Sequence, residues 1–131
     1  MVLPAELLRS YVPGLLASRF VARPAPLDAP EVARFSAAVL FADISGFTPL
    51  TEALATELGP QRGAEVLTSI LGDVISAVID ELDRYGGDVI YFSGDAITCW
   101  LDGDDGRRAT ACALAMQAAI CLLYTSDAAD E

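Results

Sequence analysis

Between Gly59-Pro60 and Gly86-Gly87, the residues Leu67, Ile70, Leu71, Val74, Ile75, Val78, Ile79 and Leu82 recur at intervals of three and four without a break. That period puts them on one stripe of an α-helix, and so continuous a stripe must be buried against a core. Gly59-Pro60 separates the helix from what precedes it, and the paired glycines end it. Its opposite face carries Asp73, Asp80, Glu81 and Asp83, which read as solvated charges rather than ligands. The rest of the chain has to supply the surface that covers the stripe.

Upstream, Ala37 to Ala42 is a short apolar run of strand length ending on Asp43. Thr48-Pro49 reads as an N-cap followed by proline at the first helical position, with Ser45 as the alternative cap. The spacing predicts a short helix from Pro49 to Glu57 that buries Leu50, Ala53, Leu54 and Leu58. Downstream, Val89 to Phe92 and Ala96 to Leu101 are strand-like, and Ser93-Gly94-Asp95 between them makes a hairpin with a carboxylate in its turn. Asp104 or Asp105 caps a last helix from Arg107 to about Ile120, burying Ala109, Cys112, Ala113 and Met116. The order strand, helix, helix, strand, strand, helix suits an α+β domain with helices on one face of an antiparallel sheet.

Residues 3 to 20 have helical spacing through Leu7, Leu8, Tyr11, Leu15 and Leu16, interrupted at Pro13-Gly14. Pro24, Pro26 and Pro30 make an extended linker, so the chain divides into an N-terminal segment (1–32), a compact domain (33–120) and a tail (121–131). The tail, CLLYTSDAADE, resembles translated sequencing-adapter read-through and is expected to be non-native, leaving the sheet short of a strand. The stretch Ala109 to Ser126 is uncharged, but its alanines and its Thr110, Gln117 and Thr125 fit a buried helix rather than a membrane span.

A formal charge of −11 argues against binding to nucleic acid. All eight basic residues are arginine. With no Lys, His or Asn, the chain has no phosphate-binding lysine of the Walker type, no histidine-based triad and no imidazole ligand. Any metal must be held by oxygen, which favours Mg²⁺ or Mn²⁺. Cys99, Cys112 and Cys121 lack C-x-x-C spacing and read as small buried hydrophobes in a reducing compartment. No secretion signal is seen, and a cytoplasmic location is expected.

Two carboxylates stand out by position. Asp43 closes the first strand beside a helix N-terminus, and Asp95 sits in a hairpin turn whose strands plausibly pair next to it. A helix N-terminus attracts anions and a carboxylate attracts divalent cations, so the pair suits a metal-bound nucleoside triphosphate. Two such aspartates can bridge two metal ions about 3.5–4 Å apart for an in-line phosphoryl displacement. Taken singly, each also fits a structural role, as a cap or as a turn residue.

Phe41-Ala42-Asp43-Ile44-Ser45-Gly46-Phe47-Thr48, together with Gly86-Gly87-Asp88-Val89 and Phe92-Ser93-Gly94-Asp95-Ala96, closely resembles the class III nucleotidyl cyclase catalytic domain. Within that family it looks most like the first catalytic domain of soluble adenylyl cyclases. The resemblance implies a ferredoxin-like βααββα domain, incomplete at the C-terminus. It also implies that Asp43 and Asp95 hold two Mg²⁺ or Mn²⁺ ions, with the Ile44 carbonyl as a further ligand. Gly46, Phe47 and Thr48 would offer backbone N–H groups to the triphosphate. The implied reaction is attack of the ribose 3′-oxygen on the α-phosphorus of ATP, in preference to GTP, at an interface with a second cyclase domain in tandem or in a homodimer.

Tyr91 stands where many soluble members have a lysine, and the family's transition-state and base-selecting residues are not assigned here. The alternative is a non-catalytic nucleotide-sensing or dimerisation module. A more distant one, prompted by Gly86-Gly87-Asp88, is a diguanylate cyclase; Val89 and Ile90 speak against it.

Overall fold

The computed structural model describes residues 11–26 and 28–127. In chain order the elements are α1 (Gly14–Ala22), β1 (Ala37–Asp43), α2 (Phe47–Leu58), α3 (Pro60–Arg84), β2 (Asp88–Ser93), β3 (Ala96–Asp102) and α4 (Arg107–Asp127). From β1 onward this is the βααββα order expected from the sequence.

The strands form one antiparallel sheet in the order β1-β3-β2. Ala38, Leu40 and Ala42 lie opposite Leu101, Cys99 and Ile97, so one face of β1 and β3 is apolar and turned to the helices. The helical stripe predicted for α3 meets that face. Val78 and Leu82 join Ile97, Cys99, Leu101, Ala109, Cys112 and Met116 in a single core cluster. Helix α3 also packs on α2 and α4. The crossing of α2 and α3 is close enough that a Cβ on Gly63 would lie 2.8 Å from the Leu54 carbonyl oxygen.

The cap of α2 differs from expectation. Neither Thr48 nor Ser45 caps it; the helix starts at Phe47, and Gly46 takes the N-cap position with φ of +86°. Glycine makes that left-handed turn without a Cβ penalty, which lets the helix begin before Thr48. Pro49 then falls in the first turn, where its missing N–H leaves no intrahelical bond unmade. Within α2, Leu50 and Leu54 are half-buried against α3, but Ala53 and Leu58 are exposed.

The cap of α4 follows the sequence. The Asp104 carboxylate accepts the N–H groups of Arg108 (3.2 Å) and Ala109 (2.8 Å), and Asp105 accepts that of Arg107 (3.2 Å). Burial away from water pushes the Asp104 carboxyl up. The N–H groups of Ala109, Arg108 and Gly106, with the Arg108 charge, outweigh it and hold the carboxyl below its ordinary value. Helix α4 runs past Ile120 to Asp127. Cys99 and Cys112 are buried as expected, whereas Cys121 is exposed, on the side of α4 turned from the core. No helix among the described residues is long and apolar enough to cross a membrane. The N-terminal helical spacing resolves into α1, which starts just after Pro13; residues 3–10 lie outside the described part.

Candidate functional site

β3 lies between β1 and β2 and pairs with both, so the end of β1 meets the start of β3. The last pair in that ladder is Asp43 with Ala96. Asp95 is the residue before Ala96, in the turn that joins β2 to β3. Two aspartates far apart in sequence thus arrive at one sheet end.

The turn is built for this. Ser93 pairs with Ala96, leaving Gly94 and Asp95 as a two-residue connection. Gly94 has φ of +65° at the first central position, where a type II′ hairpin needs glycine. Asp95 therefore keeps ordinary backbone geometry while standing at the tip, and both Asp43 and Asp95 are exposed to solvent.

Asp43, Ile44 and Asp95 line one small cavity, with Ala42, Ile75, Val78, Ile97 and Ile120 as its apolar floor. Its volume, about 40 Å³, suits an ion and is far below what a nucleotide occupies. Of its lining residues, Asp43 and Asp95 carry carboxylates and the others are apolar. That donor set fits Mg²⁺ or Mn²⁺, which take one or two carboxylates and complete their shell with water and substrate phosphate. Among the described residues, no three or more acidic, thiol or imidazole side chains converge on a metal position.

Gly46, Phe47 and Thr48 form the N-cap and first turn of α2, immediately after the cavity residues Asp43 and Ile44. The first bonds of that helix start later, with the Leu50 N–H donating to the Gly46 carbonyl at 3.4 Å. N–H groups earlier in the turn precede the helical ladder and are free to meet an anion. Nothing stands within 4 Å of where a Cβ on Gly46 would be, so the approach to this turn is open.

Tyr91 lies on β2 opposite Thr98, on the sheet face turned away from α3 and α4. It is 63% exposed and shares that face with Val39 (60%) and Phe41 (67%). Trp100, the β3 partner of Val39, meets Phe35 edge-on with ring centres 5.8 Å apart, and its buried indole N–H has no acceptor. Alternation in β1 would have predicted such an outward row, but a one-sided sheet leaves such a face in water unless something covers it.

A scan against known protein-family models finds no match. Over 70 residues the chain is 43% identical to adenylate cyclase type 10 of Rattus norvegicus and 40% identical to that of Homo sapiens. The aligned stretch is 53% of this chain, and the chain spans about 4% of the length of these curated relatives. Among solved structures, a bacterial light-regulated adenylyl cyclase shares the fold, with a TM-score of 0.57 at 20% identity, covering 85% of this chain and 30% of that one. The relatives and the shared α+β fold bear out the resemblance to a class III cyclase domain.

Proposed function

We propose that the chain supplies the metal- and phosphate-binding half of a nucleotidyl cyclase site. The completed site would convert ATP, in preference to GTP, to the 3′,5′-cyclic nucleotide and pyrophosphate. The observation that carries this is the register: the Asp43–Ala96 pair sets Asp43 beside Asp95 around a cavity that Ile44 also lines. The relatives, described as adenylate cyclases, favour ATP.

In this reading Asp43, Asp95 and the Ile44 carbonyl hold two divalent ions. Such ions lower the pKa of the ribose 3′-hydroxyl and neutralise the β- and γ-phosphates. Within this chain, the first turn of α2 orients the triphosphate through its N–H groups and its dipole. A cavity of about 40 Å³ leaves base and ribose outside it, so a second surface has to enclose them. The uncovered sheet face, with Val39, Phe41 and Tyr91, supports a second cyclase domain as that surface.

The test has two readouts. Mn²⁺ titration of the chain itself, followed by electron paramagnetic resonance, should show binding that Asp43→Asn or Asp95→Asn weakens roughly tenfold or more. Mixing the chain with a complementary cyclase domain should give cyclic nucleotide that both variants abolish, while their far-ultraviolet circular dichroism stays that of the parent. Unchanged binding and turnover in either variant refutes the assignment. Triphosphate binding without product would favour the nucleotide-sensing alternative.

A further inference from the structure

Helix α1 packs on β2. Its first residue, Gly14, is so near Asp88 that the Asp88 carboxylate fills the space a Cβ on Gly14 would need. The carboxylate therefore stands at the N-terminal end of α1, where the Leu16 and Ala17 N–H groups both turn back to the Pro13 carbonyl. A negative charge at that end meets the positive pole of the helix. Gly14 and Ser18 of α1 face Asp83, Gly86, Asp88 and Tyr91 across a groove of about 840 Å³. The following linker is folded back onto the same helix: Glu31 pairs with Arg19, and Arg23 Nη1 lies 3.2 Å from Glu31 Oε1.

We propose that α1 is a detachable latch on β2. The Gly14–Asp88 contact seats it on the start of β2, at the end of the strand away from the Asp95 turn. Glycine at position 14 is what permits the seat, since any larger residue displaces the carboxylate. With one charged contact at a helix end and an open groove behind it, the latch is weak enough to be released by whatever pulls on the N-terminal segment. Strand β2 is an edge strand, so release frees its outer edge.

Hydrogen exchange on the whole chain, read by mass spectrometry, tests it. Asp88→Asn removes the charge and should speed exchange about two- to fivefold in residues 14–22 and 86–93, with β3 and α4 unchanged. Gly14→Val should do the same more strongly. Gly72→Ala, on an open part of α3 with nothing within 4 Å of the new Cβ, should not. Unchanged exchange in both segments of Asp88→Asn overturns the latch. If Gly14→Val loosens the whole molecule, Asp88→Asn alone decides.

Discussion

Replacing Gly87 by alanine adds one methyl group where α3 hands over to β2. Its φ lies outside the left-handed region, so alanine meets no backbone strain there. In an open site the substitution would stabilise by about 0.4–1 kcal/mol through the unfolded state. Here the new Cβ would lie 3.0 Å from Leu82 Cγ and 3.2 Å from Leu101 Cγ. Both leucines are fully buried, so neither can swing into solvent to make room. Overpacking of this kind costs about 1–3 kcal/mol, which reverses the sign. For a chain of this size that is a fall in thermal midpoint of roughly 4–12 °C. Leu82→Ala alone should cost about 2–5 kcal/mol, and the space it vacates is where the Gly87→Ala methyl would go. The double variant should therefore be less destabilised than the sum of the singles, by about 1–2 kcal/mol. Urea unfolding of the four proteins, followed by circular dichroism, gives the cycle. A neutral or stabilising Gly87→Ala, or additivity within about 0.5 kcal/mol, refutes the packing argument.

Burial pushes the Cys99 thiol up to about 11, helped by Cys112, and burial also raises Cys112. A thiol reagent at mildly alkaline pH should therefore find Cys121 quickly and the other two only after unfolding; fast reaction of all three would contradict the core described. The raised Cys99 value also makes the native state lose stability as pH climbs from about 9 towards 11, and Cys99→Ala should flatten that limb. Asp104 works in the opposite sense. Its folded value is depressed, so its contribution is present above the ordinary carboxylate value of 3.8 and is lost as pH falls through the lower folded value. Asp104→Ala should lower the thermal midpoint at neutral pH and show less further loss in acid; an unchanged neutral midpoint would contradict the capping role. Phe41→Ser, on the uncovered sheet face, should reduce self-association in sedimentation velocity without lowering helix content. Equal association in parent and variant would mean that face is not the adhesive one.

The fold was legible where hydrophobic periodicity was strong and unopposed. The stripe from Leu67 to Leu82 has one interpretation, and the Gly86-Gly87 and Gly94 breaks mark the strands that follow. Sheet order was open in the sequence, because nothing in Val39 or Val89 says which neighbour each strand takes. Only the register shows that β3 is central and that Asp43 reaches Asp95. The α2 cap was misread because Thr-Pro is a strong local signal, while the left-handed turn at Gly46 depends on where β1 leaves the sheet. Burial of Ala53, Leu58 and Cys121 was overestimated for a related reason. A helical period says that one face is apolar; whether another element covers it is a tertiary matter. The contact of Gly14 with Asp88 had no sequence signal at all.

The order β1-β3-β2 also sets a timetable for assembly. β2 and β3 are joined by two residues and can zip together locally within microseconds, whereas β1 must wait for α2 and α3 to form before its ends find β3. Closing that long loop is the entropically expensive step, so the Asp43–Ala96 pair belongs among the last contacts made. Asp43 and Asp95 are thus brought to one sheet end at the close of folding. On the proposed metal-binding reading, a divalent ion supplied during refolding would act on the final docking of β1 and leave hairpin formation untouched.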